Sequence, residues 1–119
     1  MSGRPAVDLD GLRAFLRKAG VQEVMVPMME AYVRAAPERI EALREGLRRG
    51  NGGSVAEAAH ALKSGAGNLR AERLATLLER MERAGDAGRV DEARALLDEL
   101  DEEHGRVVAI LQAEIERAV

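Results

Sequence analysis

The 119-residue sequence holds two histidines and two lysines against sixteen arginines. One of each, His60 and Lys63, falls in the segment Ala59-His60-Ala61-Leu62-Lys63-Ser64-Gly65-Ala66-Gly67. On a helix their spacing is close to one turn, so the lysine lies one turn beyond the histidine. A neutral imidazole is a competent nucleophile near neutral pH. An ammonium group at that spacing can offset the charge of about −2 that a phosphoryl group would bring, without pairing to the neutral ring. The chemistry open to this pair is phosphoryl acceptance on His60, with Lys63 beside the phosphate.

The element that must position them is a helix. Gly50-Asn51-Gly52-Gly53 is a cluster of breakers, and Ser54 with Glu57 three residues later has the form of a capping box. A helix from about Val55 to about Leu69 follows. At 100° per residue, Val55, Ala58, Ala59, Leu62, Ala66 and Leu69 fall opposite or lateral to His60, which leaves the imidazole facing solvent. Ala56, Glu57, Lys63, Ser64 and Gly67 share the outward arc. Most of these are small, and Gly67 costs the helix about 1 kcal/mol relative to Ala. Bare backbone beside an exposed histidine suits the close approach of something large, so Ala56, Glu57 and Gly67 are read as a docking face.

The remaining segments supply a frame. Asp8 can cap a short helix through about Lys18, with Leu9, Leu12, Phe15 and Leu16 on one face and Gly20 ending it. From Val21 to Arg49 runs a long apolar-periodic segment, with Pro27 in its first turn and Pro37 inside. It reads as one kinked helix or two that abut. A corner at Arg70-Ala71 leads to a helix carrying Leu74, Leu77, Leu78 and Met81. After a turn at Gly85-Asp86-Ala87-Gly88, a final helix runs from about Arg89 to Ala118, with Val90, Ala93, Leu97, Leu100, Val107, Ile110, Leu111 and Ile115 toward a core.

Only 2% of the chain is aromatic and 33% is charged, and Ala, Leu, Val, Ile and Met dominate the apolar positions. These are helix formers more than strand formers. The expected fold is all-α, an antiparallel up-down four-helix bundle with the short N-terminal helix as a cap, forming one domain over 1–119.

Composition also excludes. With no cysteine there is no thiolate catalysis and no zinc site of the cysteine type, and a cytoplasmic address is the default. Neither a signal peptide nor an apolar run of about 20 residues is present, so no membrane partner is expected. A net charge of −3 and the lack of a basic, aromatic-interleaved stripe argue against nucleic acid. Phosphate-loop, HExxH and GxSxG motifs are absent. Met25, Met28 and Met29 read as core filler. Asp98 to Glu103 reads as an exposed acidic face without metal-loop spacing, so no metal site is expected. His104, set among Asp101, Glu102 and Glu103, reads as part of that solvated face.

The segment from Ala59 to Ala71, with Leu74 following, resembles the signature of histidine-containing phosphotransfer (HPt) domains, approximately A-H-x-L-K-G-S-[SA]-x-N-[LIV]-G-A-x-x-L, in register and without a gap. Asp8-Leu9-Asp10 with Leu12, and Ala36-Pro37-Glu38-Arg39-Ile40 with Leu43, are similar to weaker upstream features of that family. Two positions depart from it. Ser64 stands where a glycine is usual, which adds a hydroxyl near the phosphate site, and Arg70 replaces the corner glycine.

The resemblance implies a phosphorelay intermediate. His60 would accept a phosphoryl group from the phospho-aspartate of one response-regulator receiver domain and pass it to the aspartate of another. A hybrid sensor histidine kinase would stand upstream. The module would be a monomer with no turnover activity and no cofactor of its own, Mg²⁺ belonging to the receiver. Two other readings are a non-catalytic module that binds receivers or kinases through the same face, and the phosphoacceptor domain of a chemotaxis-type kinase.

Overall fold

The side-chain oxygen of Asp8 accepts the Gly11 N–H at 3.0 Å and opens α1 (Leu9–Lys18). The structure, a computed structural model, describes residues 4–118. Leu12 and Leu16 bury one stripe of α1, and Gly20, at φ +76°, ends it, as the sequence predicts. Phe15 departs from expectation. It is 57% exposed, because the short helix beds down on the Leu12–Leu16 side only.

After a 3₁₀ turn at Gln22–Val24, α2 (Met25–Arg49) runs as one helix with Pro37 inside it, so the reading of two abutting helices falls. Pro37 is exposed and its ring stays out of the core. Met25 and Met29 are buried and Met28 half-buried, as expected of core filler.

Helix α3 (Gly52–Asn68) starts earlier than predicted. Its cap is Asn51, whose side chain accepts the Ser54 N–H at 3.1 Å, and not a Ser54–Glu57 box. The two glycines read as breakers enter the first turn, where one of them is needed for close approach. A Cβ on Gly52 would sit 2.4 Å from the Gly85 carbonyl oxygen of the next helix, α4 (Glu72–Asp86). Leu74, Leu77, Leu78 and Met81 of α4 are all buried.

The expected single final helix is two, α5 (Val90–Arg94) and α6 (Leu97–Arg117). The break falls just after Arg94, whose guanidinium reaches back to the Leu47 carbonyl near the end of α2. Apolar periodicity continues across the break, so the pattern alone does not reveal it.

Every helix is α or 3₁₀ and no strand occurs among the described residues. Helix α3 packs mainly on α4 and α2, and α6 closes against α2 and α4. One apolar cluster joins Leu12, Met29, Leu43, Leu62, Leu69, Leu74, Leu78, Met81, Leu100 and Leu111. Each such side chain contributes about 1.5–3 kcal/mol by burial, which fixes α3 and α4 side by side. Glu103, read as part of an exposed acidic face, is buried, as is Glu114 farther along α6, and Arg13 of α1 grips Glu114 at 2.6 Å. No helix among the described residues is long and apolar enough to cross a membrane.

Candidate functional site

His60 sits mid-way along α3 with its side chain 62% exposed, above a buried stripe of Val55, Ala58, Ala59, Leu62, Ala66 and Leu69. Both features match the sequence reading. The ring is not isolated, however. Its Nδ1 lies 3.0 Å from Oε2 of Glu82 on α4. Oε1 of the same carboxylate lies 2.7 Å from the Lys63 ammonium, which also stands 2.7 Å from Oε1 of Glu79. Arg83 closes the chain on the other Glu79 oxygen at 2.7 Å.

This arrangement gives Lys63 partners that the sequence did not name. The lysine is half-buried and held between two carboxylates of α4. Hydrogen bonds to Glu79 and then Glu82 push its pKa up. The Lys63 hydrogen bond holds Glu82 below the usual carboxylate range, against the opposing effect of burial, and His60 adds a smaller pull in the same direction. Glu82 is thus ionised at neutral pH and can only accept. Neutral His60 must therefore carry its proton on Nδ1, which leaves the Nε2 lone pair free in solvent. Glu79 and Glu82 were not singled out in the sequence. Their i, i+3 spacing on α4 puts them on one face, but nothing local says which helix that face meets.

The rest of the expected docking face divides. Gly67 is exposed and a Cβ there would meet nothing within 4 Å, so the fold itself gives no steric reason for the glycine. Glu57 is exposed beside the groove between α2 and α3, next to Ala58 and Ala61. Ser64 is exposed and donates its hydroxyl to the His60 carbonyl at 3.2 Å. Ala56 does not belong to the face. It is 7% exposed because α4 crosses there, and a Cβ on Gly85 would lie 2.9 Å from the Ala56 nitrogen. Its small size serves helix packing. Gly65 is likewise structural, since a Cβ would lie 2.8 Å from Cδ2 of the buried Tyr32.

Tyr32 in turn stacks near His104 of α6, with ring centroids 5.9 Å apart. His104 is half-buried rather than part of a solvated face, and its Nε2 is buried without a hydrogen-bond partner among the described residues. Burial pushes the His104 pKa down and lifts the Tyr32 hydroxyl to about 12. Nε2 of His104 is thus turned into the fold, whereas the His60 side chain stands 62% exposed.

At the end of α3 the corner turns on Arg70, with φ +60°. A left-handed residue other than glycine costs about 1–2 kcal/mol. The Arg70 guanidinium lies 5.3 Å from the Phe15 ring centroid, a contact worth about 0.5–1 kcal/mol at an exposed site, so part of the cost remains.

The site is thus an exposed imidazole oriented by a carboxylate on an all-helical fold. Residues 27–116 match the model of the Hpt domain family. The chain belongs to the Hpt family. It is also similar over 98% of its length, and 98% of the other chain, to the crystal structure of histidine-containing phosphotransfer protein B (HptB) from Pseudomonas aeruginosa PAO1, at 25% identity and a TM-score of 0.85. No curated protein sequence matches. Hpt domains are phosphocarriers that work with receiver domains and kinases in phosphorelays, and histidine phosphotransfer is the role of this Hpt chain. Among the described residues no group of three or more His, Asp or Glu is placed to hold a metal ion.

Proposed function

We propose that His60 is the phosphoacceptor and that its Nε2 is the nucleophile. The observation that carries this reading is the Nδ1–Glu82 contact of 3.0 Å, which fixes the tautomer and leaves Nε2 open. In the forward step the Nε2 lone pair forms a bond to phosphorus as the acyl-phosphate P–O bond of a receiver aspartate breaks, and the aspartate leaves as a carboxylate. The ring becomes cationic while keeping its Nδ1 proton, and Glu82 offsets that charge. Transfer to a second receiver reverses the same bonds. Lys63 acts chiefly through Glu82, which it keeps ionised and in place. Gly67, Glu57 and Ser64 give the incoming protein a low ridge around the ring.

Positioning is then the contribution of this chain, and Mg²⁺ with its acidic pocket is assigned to the receiver. A hybrid sensor histidine kinase supplies the phosphoryl group upstream. The chain acts as a monomeric cytoplasmic phosphocarrier without turnover of its own. The site rides on one domain, with α2, α3, α4 and α6 as an antiparallel up-down four-helix bundle capped by α1. The packing of α3 on α4 and of α2 on α3 and α6 supports that arrangement.

The test is to incubate the purified chain with phosphorylated receiver domains of the source organism and compare His60→Gln with His104→Gln. Acid-labile, base-stable label is expected to vanish in the first and persist in the second. The opposite pattern would move the acceptor to His104, and a chain that binds receivers without ever taking label would be a binding module instead.

A further inference from the structure

Phe15, the one phenylalanine of the chain, is the most exposed large apolar side chain among the described residues. The guanidinium of Arg70 covers one side of its ring at 5.3 Å. Arg70 is also the one non-glycine residue with positive φ among the described residues. Its carbonyl accepts the Asp8 N–H at 3.1 Å, so the start of α1 is tied to the corner and the two side chains are held in register by backbone. Glycine would make this corner at lower cost. Leu12 and Leu16, not Phe15, anchor α1. The fold thus keeps a half-buried residue in a costly backbone conformation beside an exposed ring it does not need, and such an outlier points to function.

Position supplies the second argument. From His60 to the end of α3 at Asn68 is eight positions, about 12 Å of helix, and Arg70 follows two residues on. Ser64, Gly67 and Asn68, the exposed residues between them, present no bulky side chain. A protein that brings its reacting group to His60 needs about 800 Å² of contact on each side, which as a disc extends about 16 Å from its centre. A footprint centred on His60 therefore extends past the end of α3 to the Arg70 corner, which Phe15 adjoins.

We propose that the Phe15–Arg70 pair is the anchor of the receiver-docking face and a determinant of which receivers exchange phosphate with His60. The proposal rests on the reading of His60 as phosphoacceptor. Aromatic and arginine side chains carry most of the binding energy in interfaces of this size, and this pair offers both. It fits a receiver surface that presents an apolar side chain to the ring with a carboxylate beside it for the guanidinium. Arg17 and Lys18, exposed in the last turn of α1, make this helix end cationic, while exposed Glu57 lies beyond His60 in the other direction. The asymmetry orients the partner along α3.

The experiment labels the wild type, Phe15→Ala, Phe15→Leu, Arg70→Gly and His60→Gln in two ways. Phosphoramidate, a small donor, reports the reactivity of the ring itself. Aspartyl-phosphorylated receiver domains, at rising concentration, report docking. For Phe15→Ala and Arg70→Gly, receiver-dependent transfer is expected to fall about tenfold at low receiver concentration and to recover at saturation, with phosphoramidate labelling unchanged. Phe15→Leu should lie between. Wild-type transfer at every concentration overturns the proposal, and so does a parallel fall in phosphoramidate labelling, which would make the pair a support for His60 itself. If His60→Gln takes label like the wild type, the phosphoacceptor reading fails, and this inference goes with it.

Discussion

Nδ1 of His60 on α3 lies 3.0 Å from Oε2 of Glu82 on α4. The contact joins two helices whose shared packing is apolar, and it turns a solvent-exposed ring into one with a fixed tautomer. Glu82 is itself set by Lys63, so the lysine one turn from His60 reaches the ring through a carboxylate on another helix.

Glu82→Ala removes the acceptor for Nδ1–H. Receiver-dependent transfer should fall about tenfold or more, the usual scale for losing a partner that orients a functional histidine. Glu82→Gln, whose amide oxygen can still accept, should recover much of the rate. Equal rates in all three chains would show that the contact does not orient the ring.

Lys63→Ala should slow transfer while leaving the bundle folded, because the side chain lies at the rim of the α3–α4 seam. Its removal also raises the Glu82 pKa toward the ordinary carboxylate value. The sign follows from a depressed folded pKa: the ionised network is complete above the ordinary carboxylate pKa and is lost only as pH falls through the lowered value. A carboxylate titration by NMR should place the Glu82 midpoint higher in the variant than in the wild type. Coincident midpoints would separate the lysine from Glu82.

Gly67→Phe and Gly65→Ala should behave oppositely. The first adds a side chain into open space, so the melting temperature should hold or rise by the equivalent of a few tenths of a kcal/mol, while receiver-dependent transfer drops sharply. The second forces a methyl group against Tyr32 and should cost about 1–3 kcal/mol. Thermal melts with transfer assays decide both, and wild-type transfer by Gly67→Phe would place the docking face elsewhere.

Much of this was legible in the sequence, for identifiable reasons. His60 and its buried stripe follow from helical periodicity alone, since both lie on one helix. The corner residue Arg70 stood out by its type against the glycine usual there. What escaped depended on which helix meets which. Glu79 and Glu82 join the site only through the register of α4 on α3, and Ala56 leaves it for the same reason, because Gly85 crosses there. His104 looked solvated among acidic neighbours, but α6 turns it inward beside Tyr32.

That inward placement has a pH consequence. Burial lowers the folded pKa of His104, with Asp101 opposing more weakly. The stability gained by burying the neutral ring is complete above the unfolded value of about 6.5 and is lost as pH falls from there toward the lowered folded value. Between pH 7 and 5 the melting temperature of the wild type should fall more steeply than that of His104→Leu. Parallel slopes would mean the ring protonates without cost.

The most direct test of the central claim is a long-range ¹H–¹⁵N correlation spectrum of the imidazoles before and after phosphorylation. The account predicts that free neutral His60 carries its proton on Nδ1 and that phosphate then appears on Nε2 of His60, with the His104 signals unchanged. A proton on Nε2 in the free protein, or phosphate on Nδ1 or on His104, would contradict it.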